Sequence, residues 1–182
     1  MKKIVILASG SGTLARAIFA ADKDYEITAL ICDRPTAKVI EVANDFGIKV
    51  ELLELIGDRT IWDQELLSLV TKHQPDLVVS AGFMRILAPK FVRTFKVINS
   101  HPALLPLFPG AHAVRDALVA GATHTGTTIH WVDEGIDTGE VIAQERLEIA
   151  PTDTEESLHE RIKIIERGLI VATIPQILAE LK

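Results

Sequence analysis

Cysteine occurs once in these 182 residues, so no internal disulfide framework is available, and a reducing, cytoplasmic setting is the expectation. That residue, Cys32, stands in an apolar run and reads as a buried thiol rather than a nucleophile. Basic side chains are also scarce. Lys and Arg total 19 against 25 Asp and Glu, a net charge of -6, which argues against general nucleic-acid binding because that needs a basic face. No apolar stretch approaches bilayer length, and Ile4 to Ala8 behind Met1-Lys2-Lys3 is too short for a signal-peptide core. No membrane partner is expected. Linkers, repeats and low-complexity segments are missing as well. What remains is 48% hydrophobic and 24% charged, the composition of an ordinary globular enzyme, with 1–182 read as a single domain. The sequence allows a homodimer without requiring one.

Strand-like and helix-like runs alternate from the start. Lys2 to Ala8 is short, β-branched and continuously apolar, as a strand covered on both faces must be. Thr13 to Ala21 reads as a helix, Ile27 to Cys32 as a strand, and Ala37 to Phe46 as a helix closed by Gly47. Strand Ile48 to Leu53 and helix Thr60 to His73 follow, with Ile61, Leu66, Leu67, Leu69 and Val70 on the helix's apolar face and Trp62 assigned to the core. Leu77 to Ala81 and Phe95 to Asn99 are two more strands, and His112 to Ala120 is helical. Thr125 to Val132 and Val141 to Ile149 alternate with period two, as antiparallel edge strands do. Thr154 to Leu181 is one long helix or a pair divided at Pro175. The pattern predicts an α/β fold: a three-layer, Rossmann-like, open and mostly parallel sheet with added edge strands.

Chemistry concentrates at four places. Ser9-Gly10-Ser11-Gly12-Thr13 lies between a buried strand and a helix, where backbone N–H groups and the helix terminus attract a phosphate. Gly10, Gly12 and Ala15 with Asp33 also fit the dinucleotide fingerprint, so an NAD(P)-dependent oxidoreductase competes with a plain tight turn and a phosphate loop. Gly82 to Leu87 follows a strand where open α/β sheets place ligands; it suits a flat aromatic ring, or it is a simple connection. Val97 to Gly110 delivers Asn99 and His101 two residues apart, on one side of a strand, ahead of Pro102, Pro106 and Pro109. Asp133 to Gly139 is an acidic loop. An imidazole used as an acid needs a carboxylate beside it, and Asp137, flanked by glycines, is preferred over Asp133. His101, His112, His124 and His130 lack metal-ligand spacing, so no metal is expected, and His124 and His130 read as structural.

Taken in order, the glycine loop, Ala81 to Leu87, Asn99-x-His101-Pro102 with Leu104-Leu105-Pro106, Pro109-Gly110-x-His112, Gly126-Thr127 and Asp137-x-Gly139 resemble the folate-dependent formyltransferases over nearly the whole chain. The resemblance implies transfer of a formyl group from 10-formyltetrahydrofolate, as co-substrate, to the amine of glycinamide ribonucleotide in purine biosynthesis. It implies Asn99, His101 and Asp137 as the catalytic set. It places the ribonucleotide's phosphate and ribose on Gly10, Ser11, Gly12, Thr13, Leu14, Lys163 and Glu166. The folate falls to Arg59, Met84, Arg85, Ile86, Leu87, Asn99, Asp133, Glu134, Gly135, Ile136 and Asp137. A side chain in place of Gly12 is then expected to obstruct the phosphate.

Three positions depart from the family's usual pattern: Leu14 replaces an asparagine, Leu107 a basic residue, and Glu140 a proline. None touches Asn99, His101 or Asp137. Methionyl-tRNA formyltransferases, with an added C-terminal domain, and formyltetrahydrofolate hydrolases, with an added N-terminal one, fit less well, while a sugar-nucleotide formyltransferase stays in play.

Overall fold

A computed structural model describes residues 1–22 and 24–181. Seven strands form one sheet: β1 (Lys3–Ala8), β2 (Glu26–Cys32), β3 (Val50–Leu52), β4 (Leu77–Ser80), β5 (Val97–His101), β6 (His124–Trp131) and β7 (Val141–Glu148). Their spatial order is β3-β2-β1-β4-β5-β6-β7. The first five are parallel; β6 returns antiparallel along β5, and β7 along β6.

β1 shows why a continuous apolar run was needed. Ile4, Ile6 and Ala8 enter the core under α1 (Thr13–Ala20), α2 (Val39–Asp45) and α6 (Glu155–Glu180), while Val5 and Leu7 enter the one under α3 (Arg59–His73) and α4 (Pro89–Thr94). A strand's side chains alternate, and here both faces are covered. The remaining helix, α5 (Ala113–Val119), brings Val114 against Leu158 and Ile162 of α6.

Several boundaries and faces differ from the sequence reading. Ile61 is 60% exposed rather than part of the α3 stripe, which runs Trp62, Leu66, Val70. Trp62 sets that rotation: its ring stacks 6.3 Å from Phe83 and its Nε1 donates to the Leu53 carbonyl at 3.0 Å. A buried indole needs an acceptor, and meeting it turns Ile61 outward. The short helix α4 was not anticipated; it starts with Pro89 after Ala88, where a missing N–H costs nothing, and buries Phe91. β5 runs two residues later than expected, which brings Asn99 and His101 both inside the strand. Pro175 does not divide α6, because Ile170, Ile174 and Ile177 pack against the sheet on either side of it. Thr154 and Ser157 exchange side chain-to-backbone hydrogen bonds and close the helix's N-terminus.

Trp62 is the largest buried side chain of α3. Trp62→Ala is expected to cost roughly 3–5 kcal/mol of stability, measured by denaturant unfolding with the midpoint shifted and the slope unchanged.

Candidate functional site

The chain reverses its direction of growth across the sheet between β1 and β4, and ligands of open α/β sheets bind beyond the strand ends at such a point. Here the loops after β1 and β4 are stitched together. The Ser9 N–H donates to the Gly82 carbonyl at 3.2 Å, and the Met84 N–H donates to Ser9 Oγ at 2.9 Å. On one flank, Gly12 takes φ +78° as the residue before α1, with no side chain capping the helix. The first N–H groups of α1 are therefore unclaimed by any capping side chain, as an anion-binding terminus requires. Ser11 and Thr13 are exposed beside them, whereas the Leu14 side chain is buried in the core, so that residue can offer a ligand only its backbone.

On the other flank β5 presents Asn99 and His101. Antiparallel pairing puts His130 of β6 directly opposite Asn99. The β6–β7 loop then folds back over β5 and lowers Asp137 between the two imidazoles. Its Oδ2 lies 3.4 Å from His101 Nδ1 and its Oδ1 3.5 Å from His130 Nε2. Asn99 Nδ2 is 3.3 Å from the same His130 nitrogen. The proline-rich loop completes the enclosure: the Gly110 N–H donates to Asp137 Oδ2 at 2.8 Å, and His101 Nε2 donates to the Phe108 carbonyl at 2.8 Å. Both His101 nitrogens thus face oxygen acceptors, an arrangement satisfied by a ring protonated at both. Asp137 adopts φ +54°, the left-handed region that side chains seldom occupy. The contact with His130, the hydrogen bond from the Gly110 N–H and the neighbouring His101 ring hold its carboxyl below the usual carboxylate range, against the desolvation that pushes it up.

Asn99, His101 and Asp137 are therefore brought together, drawn from segments 36 residues apart at their nearest in the sequence (101 to 137). Beside Asp137 lies a recess of about 280 Å³ walled by Leu105, Pro106, Pro109, Ile136 and Val141. The chemistry on offer is donation to an oxygen that becomes anionic, with a carboxylate to hold a proton or orient a water.

The other sequence-selected residues lie around this group. Met84 and Ile86 are largely exposed and Leu87 is buried. Arg59 donates from Nη2 to the Ile86 carbonyl and from Nε to Asp63, which ties α3 to this loop. Arg85 donates to Asp33 at 2.6 Å. That partner is 1% exposed at its side chain, so the acid a dinucleotide fingerprint would turn to a ribose is covered. Asp133 accepts from the Gly135 N–H and the Thr138 hydroxyl and shapes its own loop, while the exposed Glu134 pairs with Arg93 and Gly135 and Ile136 are open to solvent. Lys163 pairs with Glu160.

Glu166 does not join Asn99 and His101. Ser100, between them in β5, points to the opposite face and donates to Glu166 Oε1 at 2.7 Å. Burial raises the Glu166 carboxyl above its ordinary range, with Ser100 opposing. Among the described residues, no group of three or more His, Cys, Asp or Glu is placed as metal ligands would be, and no helix is long and apolar enough to cross a membrane.

The sequence reading missed His130, taken as structural; the Phe108 carbonyl; the Gly110 amide; and Ser100. Only the β5–β6 register reveals His130, and no local signal encodes it.

The sequence signature of the formyl transferase family matches residues 2–174. The phosphoribosylglycinamide formyltransferase of Mycobacterium tuberculosis is 45% identical over 179 residues, covering 94% of this chain and 83% of its own. The protein of that name from Bacillus subtilis is 38% identical over 186 residues, covering 98% and 95%. The crystal structure of phosphoribosylglycinamide formyltransferase from Bacillus halodurans superposes with a TM-score of 0.93 at 39% identity, covering 100% of this chain and 97% of that one. A signature spanning nearly every element, joined to this degree of identity on one shared architecture, places the chain in the formyl transferase family.

Proposed function

We propose that this chain transfers the formyl group of 10-formyltetrahydrofolate to the amine of glycinamide ribonucleotide, a step of purine biosynthesis carried out in the cytoplasm. The observation that carries the reading is the convergence of Asn99, His101 and Asp137 beyond the sheet's switch point. The amine attacks the formyl carbon, and negative charge grows on the formyl oxygen. Asn99 donates an N–H to that oxygen. His101 Nε2 is held by the Phe108 carbonyl; an oxyanion is a stronger acceptor than a neutral carbonyl and competes for the same proton. Asp137 stabilises the charged ring and orients the water that carries a proton from the attacking amine to the departing folate nitrogen. Each preorganised donor contributes on the order of 3 kcal/mol to lowering the barrier.

The phosphate is assigned to the α1 terminus at Gly10 to Thr13, and the ribose to Glu166 with Lys163 nearby. The folate ring is assigned to the backbone of Met84 to Leu87 and the 133–137 loop, with Arg59 toward its carboxylate tail. No resident metal is part of this chemistry, because the folate delivers its own leaving group and the donors are side chains.

Asn99→Ala, His101→Ala and Asp137→Ala are each expected to lower kcat about 100-fold or more, read from the folate's absorbance change with both substrates saturating; near-normal turnover in all three would overturn the assignment. The glycine loop makes a separable claim. A Cβ on Gly12 would come within 2.8 Å of the Val39 backbone at φ +78°, whereas one on Gly10 meets nothing within 4 Å. The expectation that a side chain at Gly12 chiefly obstructs the phosphate is therefore revised: its first effect is on the α1–α2 contact. Gly12→Ala should lower Tm, while Gly10→Val should leave Tm unchanged and raise KM for the ribonucleotide alone. Unchanged KM in Gly10→Val would remove the loop from the site.

A further inference from the structure

His130 is the imidazole that the proposed chemistry leaves without a task, yet it is 2% exposed and touches two of the three assigned residues. Its Nδ1 lies 2.9 Å from the Trp131 carbonyl. A carbonyl only accepts, so Nδ1 carries a hydrogen. A neutral imidazole has a single N–H, which leaves Nε2 with a lone pair. Facing that lone pair at 3.3 Å is Asn99 Nδ2, which only donates. The pair closes as Asn99 N–H to His130 nitrogen. A carboxamide turned by 180° would instead set its oxygen against the lone pair, two acceptors with no hydrogen between them. A proton added at Nε2 would reverse the preference, bonding to Asp137 Oδ1 at 3.5 Å and leaving Asn99 to face an N–H.

The backbone makes this arrangement stiff. Asn99 and His130 are directly paired across β5 and β6, both inside regular strands. On the other side of β6 the ladder to β7 steps by one residue between Ile129 and His130. Such steps re-aim a side chain and recur next to active sites.

We propose that His130 is a positioning residue: held by the Trp131 carbonyl as its Nδ1–H tautomer, it selects the orientation of the Asn99 carboxamide that keeps one N–H free for the oxygen of the transferred formyl group. This rests on the role proposed above for Asn99. With the carboxamide reversed, an oxygen would confront the growing negative charge, and the donor would become a repulsive neighbour.

The tautomer is read directly by ¹⁵N NMR of the histidine-labelled wild-type protein. A protonated Nδ1 with an unprotonated Nε2 at position 130 supports the proposal; a hydrogen on Nε2, with or without one on Nδ1, overturns it. Kinetics supply the second arm. His130→Phe is expected to lower kcat about tenfold, the worth of one hydrogen bond, with KM for both substrates unchanged. His130→Gln, whose side-chain oxygen can accept from Asn99, should recover part of the loss. The double variant Asn99→Ala/His130→Phe should be no slower than Asn99→Ala alone, since His130 then has nothing to orient. A merely structural role would multiply the two losses, and that result sinks the proposal while leaving Asn99's role intact. Normal turnover in Asn99→Ala would take down both readings together. If His130→Phe fails to fold, the Gln variant and the NMR of the unaltered protein still decide.

Discussion

The site depends on one carboxylate held in place from three directions. Asp137 receives the Gly110 N–H from the proline-rich loop and lies between an imidazole on β5 and another on β6. Without those partners, a half-buried charge in a left-handed backbone conformation would be costly twice over, once in desolvation and once in strain. With them, the loop, the strand and the edge hairpin become a single piece of polar architecture. Of the five parallel strands only β5 reaches this contact, through His101. The other four bring the glycine turn and the loop after β4 to the same rim.

The division of labour between the two faces of β5 follows from strand geometry. Asn99 and His101 look toward the acidic loop, and Ser100 between them looks toward α6 and engages Glu166. Successive side chains alternate, so a strand of five residues can serve a reacting group on one face and a helix on the other. The ribose is proposed for Glu166 and the formyl oxygen for Asn99. Both would then be fixed to one rigid rod, and the distance between them would be a property of the backbone.

Much of this was legible in the residues alone. The apolar run of β1, the period-two alternation of β6 and β7, and the glycine turn before α1 each carry their local cause with them, and the strand–helix alternation gave the sheet. The pairing of Asn99 with His101 was readable because two positions on one strand share a side. His130 was not, because its neighbour lies 31 residues away across an antiparallel register that no local pattern specifies. Ile61 failed for a related reason: helical periodicity admits either Ile61 or Trp62 in the stripe, and the indole's need for the Leu53 carbonyl decides between them. Gly12 was singled out for a phosphate, whereas what its bareness accommodates in the structure is Val39 of the neighbouring helix.

The one-residue step in the β6–β7 ladder has a consequence for how such a chain can diverge. It leaves Ile142 without an opposite number, as Ile129 pairs with Ala143 and His130 with Val141. Just beyond, Gly139 passes so close to the Trp131 carbonyl that a Cβ there would lie 1.6 Å from it. The phase of the hairpin is thus clamped at both ends of a short span. Losing or gaining a single residue between 132 and 142 would rotate the tip and present Ile136 or Thr138 where the carboxylate belongs. A chain that keeps this chemistry is therefore expected to hold the length of the hairpin tip fixed.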